Sequence, residues 1–344
     1  MKAAAIKGIK KLEIKDIDEV KADGENVIVN VRKTGICGSD LHYFVAGEPK
    51  GLVMGHEFIG TVDDVGSRKD LKVGERVTAL PISPCGVCPA CKSGNVQYCE
   101  KTWSKAVGLS LDNPGGFTSK IKIRPDMVVK VPDEVSDDEA AMIEPTAVAL
   151  HAIHLADIKV GDKVLVVGAG IIGMLSAMFA GMEGASYVAV SEANVPRGKK
   201  AFRLGVADRM YDAKDTKMLN KMRYDTIDGF DVVIECCGNS PAVSSAIAAV
   251  KPGGTVVLVG VSLGTVTIPS IAAVTKELTI KGAIAYNEEE FKTCIDLMAT
   301  KKIDVLKFLD RVISLNEIQD AFLELISGKS ATVKIIVDHS KEDK

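Results

Sequence analysis

Val164-Leu165-Val166-Val167-Gly168-Ala169-Gly170-Ile171-Ile172-Gly173 is the stretch on which the fold of this chain turns. Four apolar residues, mostly β-branched, read as a buried strand. They break into a G-x-G-x-x-G and then into an apolar run of helix length, Ile171 to Met182. Alone, that glycine pattern is weak. Here it follows a strand and opens a helix, and Glu192 comes nineteen residues later at the end of the next apolar run, Tyr187 to Val190. Those contexts are what a dinucleotide-binding turn requires. Gly168 permits the tight turn, Gly170 lets the backbone approach a pyrophosphate, and Gly173 lets helix and strand pack closely. Ile171 and Ile172 carry the unpaired N–H groups and positive potential of the helix N-terminus. Glu192 is expected to accept hydrogen bonds from the adenosine ribose hydroxyls. A 2′-phosphate would meet its carboxylate, so NAD is favoured over NADP, and Arg197 is the nearby residue that speaks for NADP. The bland alternative is a glycine turn that serves packing alone.

Downstream the alternation continues. Asn194 can cap a helix with Pro196 near its start and Gly205 at its end. Asp231 to Glu235 reads as a strand, Ser240 and Pro241 open a helix closed around Pro252-Gly253-Gly254, and Thr255 to Gly260 and Leu278 to Ile284 read as further strands. Strands apolar throughout, alternating with helices, indicate a parallel sheet covered on both faces, a doubly wound nucleotide-binding domain. Helices are expected over Glu288 to Thr300 and Glu317 to Ser327, with a last strand from Val333 to Val337.

Upstream the pattern differs. Short β-branched runs at Asn26 to Val31, Phe58 to Val62, Arg76 to Ala79 and Ile121 to Ile123 are separated by Gly and Pro, as in a barrel-like β unit. No helical period is expected before Asp137; from there an Ala-rich helix to Leu155 should be kinked or divided by Pro145. With 344 residues, 47% of them apolar, the chain is long enough for two domains with full cores. A net charge of −3 without clustering gives no footing for nucleic acid or an anionic membrane. Val164 to Met182 is uncharged over nineteen residues, but a strand running into a helix explains it better than a membrane span. The start of the chain has no secretory apolar core, and Ser340 to Lys344 reads as a frayed polar tail.

Four of the eight cysteines form Cys85-x2-Cys88-x2-Cys91-x7-Cys99. Four thiolates at such spacing can enclose one zinc tetrahedrally, and a site filled by protein is structural. Two disulfides or an iron–sulfur cluster are the competing readings, the first disfavoured by a cysteine usage that suits a reducing cytoplasm. A second constellation is open. Cys37 sits in Gly35-Ile36-Cys37-Gly38-Ser39-Asp40-Leu41-His42, Gly55-His56-Glu57 follows nineteen residues on, and Glu144-Pro145 lies far along the chain. A thiolate, an imidazole and one or two carboxylates suit a catalytic zinc, which keeps one position for substrate and lowers the pKa of the oxygen placed there. Singly, Cys37 and His56 could each be ordinary core residues.

Cys37-Gly-Ser-Asp-Leu-His-Tyr43, Gly55-His-Glu57, the four-cysteine lobe, Ile143-Glu-Pro145 and Gly168-Ala-Gly-Ile-Ile-Gly173 match, in kind and order, the zinc-dependent medium-chain dehydrogenases. The chain resembles that family over essentially its full length, and most of all its sorbitol and butanediol dehydrogenase branch. The resemblance implies a GroES-like β-rich catalytic domain over 1–150 with a zinc lobe at 84–100. It places a Rossmann NAD-binding domain at 151–286 and a return to the catalytic domain over 287–344. It implies Cys37 and His56 as zinc ligands with Glu57 or Glu144 as the third, and Ser39 and His42 as a proton relay running through the nicotinamide ribose to solvent. It departs at Ile284-Ala285-Tyr286-Asn287, where sorbitol dehydrogenases carry an Arg-Tyr pair and this chain has Ala285. Tyr43, Trp103 and Phe117 are candidate pocket lining or core aromatics.

The expected activity is hydride transfer between NAD and a secondary alcohol, a polyol or vicinal diol on family analogy, with zinc in both a catalytic and a structural site. Alternatives are an amino-alcohol or 3-hydroxy amino acid as substrate, or carbonyl reduction as the working direction. A zinc-free reductase or a non-enzymatic nucleotide binder should lack ligands or relay, and none is missing here. A cytoplasmic homo-oligomer, dimer or tetramer, completes the expectation.

Overall fold

The computed structural model describes residues 1–262 and 264–341; residues 342–344, the end of the expected polar tail, lie outside the described residues. The chain divides into two compact units. One comprises 1–147, 286–327 and 334–344, and the other comprises 148–285 and 328–333.

The second unit is built on six parallel strands: Lys163–Val167, Tyr187–Glu192, Arg209–Asp212, Phe230–Glu235, Val250–Leu258 and Thr279–Gly282. Numbered along the chain, their order across the sheet is 3-2-1-4-5-6, that of the doubly wound dinucleotide folds. The first strand lies at its centre, with Val164, Leu165 and Val166 fully buried. Each such side chain contributes about 1.5–3 kcal/mol by leaving water. Helix starts follow local chemistry: the Asn194 side chain accepts from Arg197 N at 3.1 Å and Asn239 from Ala242 N at 3.0 Å. The latter cap stands one residue before the Ser240 expected from sequence. The strand Arg209–Asp212 and the helix Met218–Thr226 were not legible, because both are short and heavily charged. The uncharged run 164–182 is a strand plus a helix, and no helix among the described residues is long and apolar enough to cross a membrane.

The first unit carries a mostly antiparallel sheet in the order Arg311–Ile313, Ile335–Asp338, Val27–Gly35, Glu57–Asp64, Arg76–Ala79, Val128–Lys130, with Lys120–Ile123 also on Val27–Gly35. The strand Ile335–Asp338, from near the end of the chain, thus pairs with Val27–Gly35 near its start. Two expectations are corrected. A nine-residue helix, Gly38–Ala46, precedes Asp137; it buries only Asp40 and Phe44, too narrow a stripe to show as a period. The helix expected over 137–155, kinked or divided by Pro145, is indeed divided, but ahead of that proline, into Asp137–Ala140 and Ile143–Ala156. Pro145 lies in the first turn of the second, where its missing N–H has no intrahelical partner to lose. Of the aromatics left open between pocket and core, Phe117 is core, fully buried with its ring 5.9 Å from Phe322. Trp103 is 41% exposed, and Tyr43 packs partly buried against the same core cluster. Segment 328–333, expected within the returning tail, groups with the nucleotide unit, where Asn194 Nδ2 donates to Gly328 O at 2.8 Å and Ser330 O at 2.7 Å.

Candidate functional site

In the nucleotide unit the glycine turn has the geometry its sequence demands. Gly168 has φ +100°, and a Cβ on Gly173 would meet Gly168 O at 1.9 Å, so helix and turn touch backbone to backbone. A Cβ on Gly170 would meet nothing of the protein within 4 Å; that side of the turn is open. The Glu192 carboxylate is anchored at both oxygens, Oε2 accepting from Ala169 N at 2.7 Å and Oε1 from Asn194 N at 2.8 Å. Each oxygen keeps a lone pair for a hydroxyl donor. Glu192 therefore braces the turn as well as facing it, a role the sequence did not reveal. Arg197, in the first turn of the next helix, has a buried Nε without a hydrogen-bond partner.

The four-cysteine lobe lies in the first unit. The ligand sulfurs of Cys85, Cys88, Cys91 and Cys99 all stand within 4.8 Å of one another, with Cys88 to Cys91 at 3.5 Å and Cys85 to Cys91 at 4.0 Å. Sulfurs about 2.3 Å from a central zinc form a tetrahedron with edges of about 3.8 Å, so the set fits that ion. None of the four is in a disulfide. Cys99 Sγ accepts from Cys85 N at 3.3 Å and Lys101 N at 3.4 Å, and the Val87 and Cys88 N–H groups pull the Cys85 thiol down to about 6. Both favour thiolate. Desolvation and the neighbouring sulfurs push Cys91 up to about 11.

Cys37 occupies the N-cap of the Gly38–Ala46 helix, with its N–H donating to Asp40 Oδ2 at 2.9 Å. His56 immediately precedes the strand Glu57–Asp64, which pairs Glu57 with Gly35 and so delivers both beside Cys37. One ligand atom each from Cys37, His56 and Glu57 lies within 4.8 Å of the others. Glu144 is outside that group; its Oε1 accepts from the Tyr286 hydroxyl at 3.1 Å. Burial, then the charge of Glu57, pushes the Glu144 carboxyl up to about 7 against the opposing pull of His56 and Tyr286. Burial raises the Cys37 thiol, with Glu57 adding to it. For His56 burial would lower the pKa, but Cys37 and Asp40 outweigh it and raise it. His56 Nδ1 and Glu57 Oε1 are buried without hydrogen-bond partners. A thiol, an imidazole and carboxylates crowded in this way fit a divalent cation, whose charge reverses each shift. Ser39 Oγ lies 3.4 Å from His56 Nε2, and His42 is exposed one turn along the same helix.

Three residues about this centre were given no role from sequence. Asp40, fully buried, has Oδ1 3.5 Å from His56 Nδ1, which favours a proton there and leaves Nε2 for metal. Its position three residues after Cys37 was the available signal. Tyr286 holds Glu144. Lys334, fully buried, is in direct contact with Glu57 Oε2, and nothing local in the sequence marks it.

Residues 23–133 match the alcohol dehydrogenase GroES-like domain and residues 172–300 the zinc-binding dehydrogenase domain. A relative from Aspergillus clavatus named "Probable D-xylulose reductase A" is 37% identical over 332 residues, covering 93% of this chain and 91% of its own. The chain belongs to the zinc-dependent medium-chain dehydrogenases. Among solved structures this dehydrogenase is similar to 2R,3R-butanediol dehydrogenase from Bacillus subtilis, with 31% identity, TM-score 0.86, and 98% and 99% of the two chains covered. It is also similar to galactitol-1-phosphate dehydrogenase from Escherichia coli, with 26% identity, TM-score 0.86, and 98% and 100% covered. The dehydrogenase is thus an oxidoreductase that uses zinc and a nicotinamide cofactor, on a GroES-like unit and a Rossmann unit.

Proposed function

We propose that this dehydrogenase transfers a hydride between NAD and a secondary alcohol of a polyol or vicinal diol, in either direction. The observation that carries the reading is the three-donor cluster of Cys37, His56 and Glu57, which leaves a tetrahedral ion one position short. Zinc held there supplies Lewis acidity that lowers the pKa of an alcohol hydroxyl. Asp40 fixes the His56 tautomer, Tyr286 orients Glu144, and Glu57 is the third ligand in preference to Glu144. Ser39 takes the substrate proton inside the site, and exposed His42, an imidazole able both to accept and to donate a proton, passes it to solvent. Cys85, Cys88, Cys91 and Cys99 hold the structural zinc. In the nucleotide unit, Gly168, Gly170, Ile171, Ile172 and Gly173 line the pyrophosphate, Glu192 takes the ribose hydroxyls, and Arg197 lies alongside.

The substrate class is supported by the relatives: xylulose is a ketose of the polyol series and 2,3-butanediol a vicinal diol. The anchored Glu192 supports NAD over NADP. A homo-oligomer is supported by the outermost strand Thr279–Gly282, which among the described residues has a partner on one side only, and by exposed Ile271, Val274 and Ile284 around it. Eight unbridged cysteines support a reducing, cytoplasmic setting. Replacing Cys37 by Ala should abolish NAD-coupled alcohol oxidation and leave the circular dichroism spectrum unchanged; turnover at the wild-type rate in C37A would refute the assignment.

A further inference from the structure

Lys334 is 0% exposed, and a lysine is seldom buried unless its charge is matched. Its ammonium touches Glu57 Oε2 and donates to Ile36 O at 3.2 Å. The sheet brings these groups together across 277 residues of sequence. Glu57 pairs with Gly35 on one side, and Ile336, two residues past Lys334, pairs with Gly35 on the other. Gly35 has no side chain, so the two charges meet over it; a Cβ there would stand 2.3 Å from Glu57 Oε2 and 2.7 Å from Lys334 Nζ. The lysine's backbone is fixed as well: Asp310 N donates to Lys334 O at 2.9 Å, and Lys334 N donates to Asp310 Oδ2 at 3.2 Å. Glu57 Oε1 remains, buried and without a hydrogen-bond partner.

We propose that Lys334 is a positioning residue that keeps the catalytic metal site open, by occupying Glu57 Oε2 so that the carboxylate offers the ion one oxygen only. This rests on the reading of Glu57 as third ligand. A carboxylate free at both oxygens can chelate, and a second oxygen would fill the position substrate needs. Lys334 also competes with the cation for the Glu57 carboxylate, its ammonium lying against Oε2. Removing it therefore tightens metal binding. A partner that merely braced its ligand would act with the opposite sign, its loss weakening metal binding by about 10- to 100-fold.

The test is zinc release from the holoenzymes to a chromophoric chelator, with zinc in the four-cysteine lobe as internal control and turnover measured in parallel. K334M should release the catalytic zinc at least about tenfold less readily than wild type and turn over more slowly; lobe zinc should be unchanged. Cobalt substituted at the site should lose visible absorption intensity, as four-coordinate cobalt does on gaining a fifth donor. Catalytic zinc held as in wild type or more loosely, with an unchanged cobalt spectrum, overturns the proposal. E57Q should loosen the catalytic zinc, and E57Q/K334M, which strands no buried charge, should match E57Q; a double variant that differs from E57Q by tenfold shows that Lys334 does not act through Glu57. If E57Q holds its zinc as wild type does, Glu57 is not a ligand, and the underlying reading fails along with the proposal.

Discussion

Two alanine substitutions in one turn should separate the glycine that shapes the nucleotide fold from the glycine that admits the cofactor. In G173A the new Cβ would lie 1.9 Å from Gly168 O, against an ordinary contact of 3.4 Å or more. The turn must give by about 1.5 Å, and the obstacle is backbone, which cannot rotate aside as a flexible side chain could. Overpacking of this kind costs about 1–3 kcal/mol, with the upper end expected here. In G170A the Cβ meets nothing within 4 Å, and φ is −70°, open to any residue. That substitution should leave the free protein as stable as wild type to within tenths of a kcal/mol. Yet the open side of the turn is where a pyrophosphate approaches, so the same methyl should cost about 1–3 kcal/mol of binding, or about 5- to 150-fold in NADH Kd. Thermal unfolding followed by circular dichroism, with NADH fluorescence titration, reads both. G173A should melt several degrees low and bind weakly, and G170A should melt normally and bind weakly. Wild-type NADH affinity in G170A, or wild-type melting in G173A, would refute the reasoning.

E192Q removes the charge from the anchored carboxylate; loss of charge-assisted hydrogen bonds worth about 1.5–3 kcal/mol should erode the preference for NAD over NADP by about 10- to 150-fold, read as the ratio of kcat/KM for the two cofactors. C99S should lose the lobe zinc and thermal stability while the catalytic zinc stays bound, checked by metal content and melting; two zincs in C99S at the wild-type melting point would count against a structural role. Burial alone would raise the Glu139 carboxyl, but Lys301 at 2.9 Å and the Ser136 N–H and hydroxyl outweigh it and hold it below its usual 4.5. A depressed folded pKa stabilises above the unfolded value and is lost as pH falls through the folded one. Urea unfolding of E139Q should therefore lose less stability than wild type between pH 7 and the region below about 4.5; an equal loss would contradict this.

What the sequence made legible was what it carries locally. The glycine turn, the strand before it and Glu192 after it form one continuous pattern, as do the four cysteines, and Cys37 and His56 sit in short motifs of their own. The helix Gly38–Ala46 was hidden because two buried residues make no periodic stripe. Pro145 drew attention to the wrong break, since a proline in a first turn costs nothing and the chain divides before Ile143. Choosing between Glu57 and Glu144 needed distances, because both are glutamates beside plausible motifs; only Glu57 brings an oxygen into the three-donor group. Lys334 lay beyond any sequence pattern, because strand pairing alone carries it across the chain to Glu57.

The most direct test of the whole account is NAD-coupled oxidation across a panel of polyols, vicinal diols and simple secondary alcohols, repeated after removal of metal and after restoring zinc. Turnover of a polyol or vicinal diol that disappears with the chelator and returns with zinc is the predicted result. Turnover that survives complete loss of zinc from the site of Cys37, His56 and Glu57 would contradict it.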